Sequence, residues 1–403
     1  MNVLFFSLDD FDSIENYRSI NTDLLREFKR NGHNVFVVSP SERKMGLPTR
    51  MIQTDNVTIL KPKIGNIQKT NPIEKGISTI SIGRILVSAM KKYFSEIMFD
   101  LILYCTPPIT FLKPIEYIKK RDNARTYLLL KDIFPQNAVD IGMLGETGIK
   151  GILYRYFRKQ EKRLYAVSDR IGCMSQANVD YVVKHNPEID AGKVEVCPNS
   201  IEVVDKSADG QTRVAVRKQY GIPLDKTVFV YGGNLGKPQG IPFIIECLKV
   251  CRDLDCFFLI IGDGTEYHVL EDYAKTSEQV NFKLMKRLPK EDYDNMVGAC
   301  DVGLIFLDHR FTIPNFPSRL LSYMQAKLPV LACTDPNTDM GKVITEGGFG
   351  WWCESDDATA LAKLIKKILK SNNNFGFNGY DYLRRNYGVE KSYQIIQHSI
   401  NKG

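Results

Sequence analysis

The stretch DVGLIFLDHRFTIPNFPSRLLSYMQAKLPVLAC, residues 301–333, carries the clearest structural pattern in the chain. Residues 302–307 are a short apolar run typical of a buried strand, and residues 328–332 are a second one. A proline-containing loop between them leads into a helix for which Ser318 is the predicted N-cap. The stretch therefore predicts strand, loop, helix and strand, as in an α/β fold with parallel strands.

Arg319 lies in the first turn of this predicted helix. A loop that follows a parallel strand and opens a helix presents free backbone N–H groups and the positive end of the helix dipole, which together favour an anion. A cation at that end is unfavourable for the helix but favourable for an anionic ligand. Two interpretations stay open: an exposed arginine without a partner, or part of an anion site.

Composition and charge narrow the class of protein. A chain of 403 residues predicts two to three domains, and 43% hydrophobic with 25% charged residues is ordinary for a globular protein. No signal peptide is expected, and no apolar run approaches the roughly 20 residues of a membrane span. The nine cysteines show no C-x-x-C pair or zinc spacing, so we expect a reducing cytoplasm and no metal site.

The positive charge is concentrated in the first half of the chain. Residues 1–200 contain 29 lysines and arginines against 22 acidic residues, whereas residues 201–403 contain 25 of each. A basic half indicates an anionic partner. Nucleic acid is not expected, because no nucleic-acid-binding fold or aromatic RNA-binding motif is present.

Strand and helix patterns alternate through both halves and predict two Rossmann-like domains that face a cleft. The predicted domains are residues 1–200 and 205–379, with a polar linker at 203–213 and a last helix within 380–403 that returns to the first domain. Residues 41–76 are predicted to be a long loop with one strand at 57–60.

Asp132 is the candidate catalytic residue of the first half. It lies just past the predicted strand 126–130, at the edge where open α/β sheets bind their ligands. The alternative is an aspartate that accepts hydrogen bonds from its own loop backbone.

The predicted helix at 148–169 alternates apolar residues with cations. Ile152, Leu153, Tyr156 and Phe157 supply the apolar side. Such a helix can lie on an anionic lipid surface, or it can be a surface helix with a solvated basic face. The cations of the predicted membrane and acceptor surface are Arg155, Arg158, Lys159 and Lys162.

Seven segments spread over nearly the whole chain form a recognisable set. They are NGHNV at 31–35, KDIFPQNAVDIG at 131–142, YGGNLGKPQG at 231–240, LIIGDG at 259–264, ACDVGLIFL at 299–307, FPSRLLSYMQAKLPVLA at 316–332 and GGFG at 347–350. In this order they resemble a GT-B glycosyltransferase, and most closely the family 4 retaining enzymes that assemble bacterial surface polysaccharides. The branch they resemble adds an amino sugar such as N-acetylfucosamine to O-antigen or capsule.

The resemblance implies a nucleotide-sugar donor, UDP-linked in expectation, with no metal or other cofactor. The base would lie near Asp263 and the pair Lys286-Arg287. The diphosphate would lie between the 232–236 turn and the helix at 317–319, where Arg319 neutralises the leaving group. Asp132 would lie close to the acceptor hydroxyl. The implied donor-binding residues are Gly232, Gly233, Asn234, Gly236, Lys237, Gln239, Asp263, Arg287, Pro317, Ser318 and Ser322.

The implied acceptor is a polyprenyl-diphosphate-linked saccharide at the inner face of the cell membrane. That acceptor would account for the basic half and would place the protein at the membrane periphery, in the cytoplasm. Because no carboxylate stands out as a nucleophile, we expect a front-face displacement in which a diphosphate oxygen takes the acceptor proton, rather than a double displacement.

Two pairs of positions depart from the family pattern and keep alternatives open. Asn234 and Gln239 stand where many members carry a basic pair, and Pro314 and Ser322 stand in place of paired glutamates. The alternatives are a sugar-nucleotide epimerase of the same architecture, which needs no acceptor, and a non-catalytic partner protein.

Overall fold

The computed structural model describes residues 1–68, 70–371 and 374–402, without the side chains of residues 72, 73 and 75. It contains two compact units. Unit 1 comprises Met1–Val139, Leu144–Glu202 and the segment from Val389 onward, and unit 2 comprises Asp140–Met143 and Val203–Gly388.

The described residues contain 16 strands and 15 α-helices. The strands are β1 Asn2–Phe6, β2 Asn34–Val38, β3 Ser41–Glu42, β4 Arg50–Thr54, β5 Val57–Lys61, β6 Lys63–Ile64, β7 Leu101–Thr106, β8 Arg125–Leu130, β9 Arg170–Cys173, β10 Val194–Val196, β11 Thr227–Asn234, β12 Cys256–Asp263, β13 Phe282–Lys286, β14 Val302–Phe306, β15 Val330–Thr334 and β16 Gly350–Glu354. The helices are α1 Ile20–Arg30, α2 Pro72–Tyr93, α3 Leu112–Asp122, α4 Gln136–Asp140, α5 Gly148–Val167, α6 Gln176–His185, α7 Gly210–Gln219, α8 Ile241–Val250, α9 Tyr267–Thr276, α10 Lys290–Gly298, α11 Arg319–Gln325, α12 Met340–Glu346, α13 Ala358–Ile368, α14 Phe375–Asn386 and α15 Val389–Asn401.

Unit 1 is built on a sheet of eight strands in the order β10-β9-β8-β7-β1-β2-β5-β4. The strands run parallel except for β4, which is antiparallel to β5. Apolar side chains of β1, β2, β7 and α1 form the core on one face, and Ile396 and Ile400 of α15 join that core. The last helix of the chain is therefore part of the first unit.

Unit 2 is built on a six-stranded parallel sheet in the order β13-β12-β11-β14-β15-β16. Numbered within the unit, this order is 3-2-1-4-5-6, the order of a dinucleotide-binding Rossmann sheet. The order reverses between β11 and β14. Open sheets of this kind bind ligands outside the carboxyl ends of the strands at such a switch point, which directs attention to the loops after β11 and β14.

The 41–76 segment differs from its prediction as a long loop. It contains a β-hairpin, because β4 pairs antiparallel with β5 and only Asp55 and Asn56 lie between Thr54 and Val57. Asp55 has a φ of 35°, in the left-handed region that aspartate and asparagine tolerate better than most residues. The Asp-Asn pair was the available signal for this turn.

Two further boundaries differ from the prediction. The predicted linker at 203–213 ends at Asp209, whose carboxylate caps α7 by accepting from the Thr212 N–H. The predicted last helix is two helices, since α14 ends at Asn386 and α15 begins at Val389.

Candidate functional site

Packing and backbone conformation require glycine where β11 ends, in residues 232–236, which we call the glycine turn. β11 extends through Gly232 and Gly233 to Asn234. A Cβ on Gly232 would lie 2.1 Å from the Tyr293 hydroxyl oxygen, and a Cβ on Gly262 would lie 1.9 Å from the Gly233 carbonyl oxygen. Gly233 itself has a φ of +137°. Packing thus requires glycine at 232 and 262, and the positive φ favours glycine at the exposed Gly233.

Hydrogen bonds fix this turn to its neighbours. The Leu235 N–H donates to the Asp263 carbonyl oxygen at 2.7 Å, which joins the turns after β11 and β12. The buried Gln239 accepts through Oε1 from the Gly236 N–H at 3.2 Å and from the Asn234 amide at 3.1 Å. Gln239 was predicted to bind the donor, but its side-chain carbonyl oxygen already accepts hydrogen bonds from residues of the turn.

Arg319 reaches from the start of α11 to this glycine turn. Its guanidinium carbon lies 4.3 Å from the centre of the Tyr231 ring and 3.5 Å from the position that a Cβ on Gly233 would occupy. Its Nη1 atom is buried and has no hydrogen-bond partner among the described residues. The first interpretation of Arg319, an exposed side chain, is wrong: the side chain is half-buried beside the turn.

The predicted cap of α11 is wrong. Ser318 has helical backbone angles, φ −66° and ψ −14°, and makes no capping hydrogen bond, because an N-cap side chain needs an extended backbone to reach the first free N–H groups. Pro317 and Ser322 are half-buried, and Ser318 is exposed.

The remaining predicted donor-binding residues lie on the surface of unit 2. Asn234 is exposed at the end of β11, and Lys237 is exposed just after it. Asp263 and Arg287 are exposed at or just beyond the carboxyl ends of β12 and β13. Lys286, next to Arg287, places its ammonium 3.3 Å from the centre of the Tyr267 ring.

Sequence reasoning missed several residues at this edge. Arg310 binds Asp308 through two hydrogen bonds, Nε to Oδ1 at 2.8 Å and Nη2 to Oδ2 at 2.7 Å, just after β14. Burial opposes ionisation of Asp308, but Arg310 holds the pKa of that carboxyl below its usual value. The D-H-R sequence after an apolar strand was a local signal for this pair. No local sequence pattern indicated that Tyr231 would lie beside Arg319.

One group of side chains in unit 2 could hold a cation. Ligand atoms of His309, Glu354 and Asp356 lie within 4.8 Å of one another, and within the described ranges this is the one such group. Acidic groups at a surface often cluster in this way without a metal. The expectation that no metal takes part stays a prediction.

Asp132 lies two residues past β8 in unit 1, as predicted. Its carbonyl oxygen accepts from the Thr106 hydroxyl at 3.1 Å, which ties the loop to the end of β7. Burial raises the pKa of the Asp132 carboxyl to about 7, although the neighbouring Lys131 acts in the opposite direction. Lys131 donates to the Asn21 side-chain oxygen at 2.6 Å, and burial lowers its own pKa.

The solvent face of α5 carries an apolar stripe at the spacing of successive helical turns. Ile149 is 81% exposed, Ile152 60%, Leu153 44% and Tyr156 49%. Phe157, which was predicted on the same side, packs against Phe134 with ring centres 5.1 Å apart. We call the four exposed residues the α5 stripe.

The cations of α5 line a shallow groove of about 410 Å³ beside the stripe. Arg155 and Lys159 are exposed, and Lys162 forms an exposed ion pair with Glu188 at 3.0 Å. Arg158 differs from the prediction of a free surface cation. Its guanidinium bonds to Glu161 at 2.5 Å and to the Asn186 side chain at 2.6 Å, because the buried Glu161 requires a partner. The groove is lined by Tyr154, Arg155, Arg158, Lys159, Lys162, Arg163 and Ala166.

Comparison with known proteins places these features in a family context. Residues 213–382 match the sequence model of the family described as glycosyl transferases group 1. The chain is 27% identical over 275 residues to WbjE of Pseudomonas aeruginosa, named a probable glycosyltransferase, covering 67% of this chain and 66% of WbjE. It is 24% identical over 273 residues to WcaI of Escherichia coli (strain K12), provisionally named a colanic acid biosynthesis glycosyl transferase, covering 66% of this chain and 64% of WcaI. These matches span just under two thirds of each relative.

Solved structures share the whole fold. HepE of Anabaena, solved in complex with UDP-glucose, superposes with a TM-score of 0.70 at 14% identity, covering 100% of both chains. The predicted α/β fold, GT-B with Rossmann-like parallel sheets, is confirmed. None of the described helices is both long and apolar enough to cross a membrane.

Proposed function

We propose that this chain, which carries a glycosyl transferases group 1 domain on a GT-B fold, transfers a sugar from a nucleotide-diphosphate donor to a saccharide acceptor in cell-surface polysaccharide synthesis. The observation that carries the proposal is the position of Arg319 beside the glycine turn at the switch point of unit 2, with a buried Nη1 that has no hydrogen-bond partner in the described part of the chain. HepE, which has this fold, was solved with UDP-glucose, and that supports a UDP-linked donor.

Arg319 and the glycine turn fit the chemistry of a leaving diphosphate. As the bond between the sugar and the diphosphate breaks, negative charge develops on the phosphate oxygens. A guanidinium that already stands in place, next to backbone that a ligand can approach, stabilises this charge without reorganising. No metal has a role in this proposal.

The acceptor step is proposed to retain the configuration of the sugar. The anomeric carbon loses its bond to the diphosphate oxygen and gains one to the acceptor oxygen on the same face, and the acceptor proton passes to the departing diphosphate. Asp132 of unit 1 orients the acceptor hydroxyl as a hydrogen-bond acceptor. The sugar is proposed to be an N-acetylated amino sugar, such as N-acetylfucosamine.

The transfer reaction is tested with a panel of nucleotide-sugars and a bacterial membrane extract as acceptor, read by mass spectrometry. We expect one sugar to add its mass to a lipid-linked product, with free nucleoside diphosphate appearing only when the extract is present. Conversion of the nucleotide-sugar to an epimer without extract would instead favour the epimerase. Calorimetry without any nucleotide-sugar binding would favour a non-catalytic partner protein.

The α5 stripe and its flanking cations support a lipid-linked acceptor and a position at the inner membrane surface. Residues at i, i+3, i+4 and i+7 form one face of a helix, and here that face is apolar and exposed. Arg155, Lys159 and Lys162 flank it. A helix lying in the plane of a bilayer inserts such a stripe between headgroups while its cations contact anionic lipid phosphates.

Replacing Arg155, Lys159 and Lys162 together by alanine is expected to weaken binding to vesicles with an anionic lipid such as phosphatidylglycerol by about 100-fold, since each cation near such a surface contributes roughly 1 kcal/mol. Arg158 is kept because Glu161 depends on it. Vesicle co-sedimentation at low salt measures the effect.

The control for that triple variant removes the same charge elsewhere. Lys363, Lys366 and Lys367 are exposed on α13 of unit 2, and replacing them by alanine should leave vesicle binding within about twofold. A triple α5 variant that sediments like the unsubstituted protein, or an α13 variant that loses binding equally, would reject α5 as the lipid contact.

A further inference from the structure

We propose that Tyr231, Tyr293 and Tyr323 are positioning residues that hold Arg319 over the glycine turn and leave its whole charge available to a diphosphate. We call these three residues the tyrosine cage. The inference rests on the proposed function only in taking the ligand to be a nucleotide-sugar. That a diphosphate binds here is inferred from the site itself.

Tyr231 supplies the surface on which the guanidinium rests. Its ring centre is 4.3 Å from the Arg319 guanidinium carbon, and the side chain is wholly buried in β11. Its hydroxyl donates to the Asn234 carbonyl oxygen at 2.7 Å, which fixes the ring against the end of the same strand. A fixed aromatic face sets the plane of a guanidinium above it without neutralising the cation.

Tyr323 bridges the two strands of the switch point. Its hydroxyl oxygen lies 3.3 Å from the Gly232 backbone nitrogen, which donates to it, and 3.0 Å from the Leu304 carbonyl oxygen of β14. The ring packs on Gly303, where an added Cβ would lie 2.4 Å from ring atoms. Since Tyr323 and Arg319 belong to the same short helix, this hydroxyl sets the position of α11 relative to the glycine turn.

Tyr293 closes the cage from α10. Its hydroxyl oxygen would lie 2.1 Å from a Cβ on Gly232, so the phenol packs directly against the turn. Tyr293 thus contacts Gly232, and the Arg319 guanidinium lies beside the next residue, Gly233. Burial raises the pKa of each phenol, so all three stay neutral at physiological pH.

The absence of a carboxylate distinguishes Arg319 from the other arginines of unit 2 that are held in place. Arg217 pairs with Asp301 at 2.6 Å and Arg310 pairs with Asp308 at 2.7 Å. No carboxylate among the described residues forms an ion pair with Arg319. A carboxylate would position the guanidinium equally well but would cancel the charge that a diphosphate needs. Neutral rings avoid that conflict.

The cage is tested by calorimetric binding of inorganic pyrophosphate, and of UDP and uridine in parallel. Tyr231→Leu removes the aromatic face and is expected to weaken pyrophosphate and UDP binding by about 10- to 30-fold, whereas Tyr231→Phe keeps the face and should stay within about threefold. Uridine binding should not change in either variant, because uridine has no phosphate. Tyr273→Leu, on α9, is the matched control and should bind like the unsubstituted protein.

A second variant guards against loss of folding. If Tyr231→Leu does not melt cooperatively, Tyr323→Phe is used, since it keeps the ring and removes only the hydroxyl that accepts from Gly232. We expect about a tenfold loss of pyrophosphate affinity with unchanged uridine affinity. A folded Tyr231→Leu or Tyr323→Phe protein with unchanged pyrophosphate affinity overturns the cage. So does an unsubstituted protein that binds no pyrophosphate.

The outcomes separate the cage from the proposed function. Pyrophosphate binding that depends on Tyr231 and Arg319, in a protein that transfers no sugar from any donor, supports the cage and rejects the transferase. Sugar transfer that proceeds in Tyr231→Leu with unchanged KM and kcat supports the transferase and rejects the cage.

Discussion

Arg319→Ala is expected to lower kcat/KM for sugar transfer by about 10²- to 10³-fold, the loss usually seen when one preorganised donor to a developing oxyanion is removed. The larger part should appear in kcat, because the charge on the diphosphate rises as the sugar departs. Arg319→Lys should recover only part of the activity, since an ammonium lacks the planar fork that can lie on Tyr231 and reach two oxygens. Steady-state kinetics with the donor identified in the panel measures both variants.

The matched control is Arg252→Ala. Arg252 is exposed between α8 and β12, at the amino edge of the same sheet, so the substitution removes the same charge far from the carboxyl edge. It should keep kcat/KM within about twofold. An Arg319→Ala protein that melts normally and turns over at the rate of the Arg252→Ala control would reject a role for Arg319 at the diphosphate.

The 301–333 stretch shows which structural elements local sequence patterns predict in this protein. Its apolar runs are β14 and β15, and the helix between them is α11. Local composition suffices to locate such elements, because an apolar run and the spacing of apolar residues in a helix are properties of neighbouring residues. The same reasoning located Asp132 past β8 and Arg319 at the start of α11.

The contacts that give Arg319 its environment depend on long-range packing. Tyr231 and Tyr293 come from β11 and α10, and their approach to Gly232 follows from strand order and helix packing, which no local pattern records. The Ser318 cap failed because the loop enters α11 with a helical backbone. Gln239 was assigned to a ligand because its partners in the turn could not be seen in the sequence.

Unit 1 shows the same limit at α5. The alternation of apolar and basic residues predicted the helix and its amphipathic character, and α5 spans Gly148–Val167. Which side chains stay exposed depends on the contacts that they make within unit 1. Phe157 packs against Phe134, and Arg158 donates hydrogen bonds to Asn186 and Glu161. The exposed surface of α5 therefore comprises the α5 stripe with Arg155, Lys159 and Lys162, of which Lys162 pairs with Glu188.

Asp132→Asn is expected to lower kcat by about 100-fold while making the protein more stable at pH 8. The amide has nearly the same shape as the carboxyl but cannot carry the negative charge that would hold the acceptor hydroxyl. Asp180→Asn, an exposed position on α6, is the control and should change neither property. Rates and thermal unfolding at several pH values measure both variants.

The pH dependence makes the Asp132 prediction specific. Burial raises the pKa of this carboxyl from 3.8 to about 7 in the folded protein, so the folded state holds a proton that the unfolded chain releases between those values. Its contribution to stability is thus fully present below pH 3.8 and is lost as pH rises to about 7. Asparagine resembles the protonated form at every pH. The gain in stability from Asp132→Asn should therefore be absent near pH 4, grow up to pH 7 and stay constant above it. The kcat of the unsubstituted protein should rise as pH passes through 7, and the kcat of Asp132→Asn should not. Equal stability of the two proteins at pH 8, together with equal kcat, would mean that Asp132 is neither strained by burial nor in contact with the acceptor.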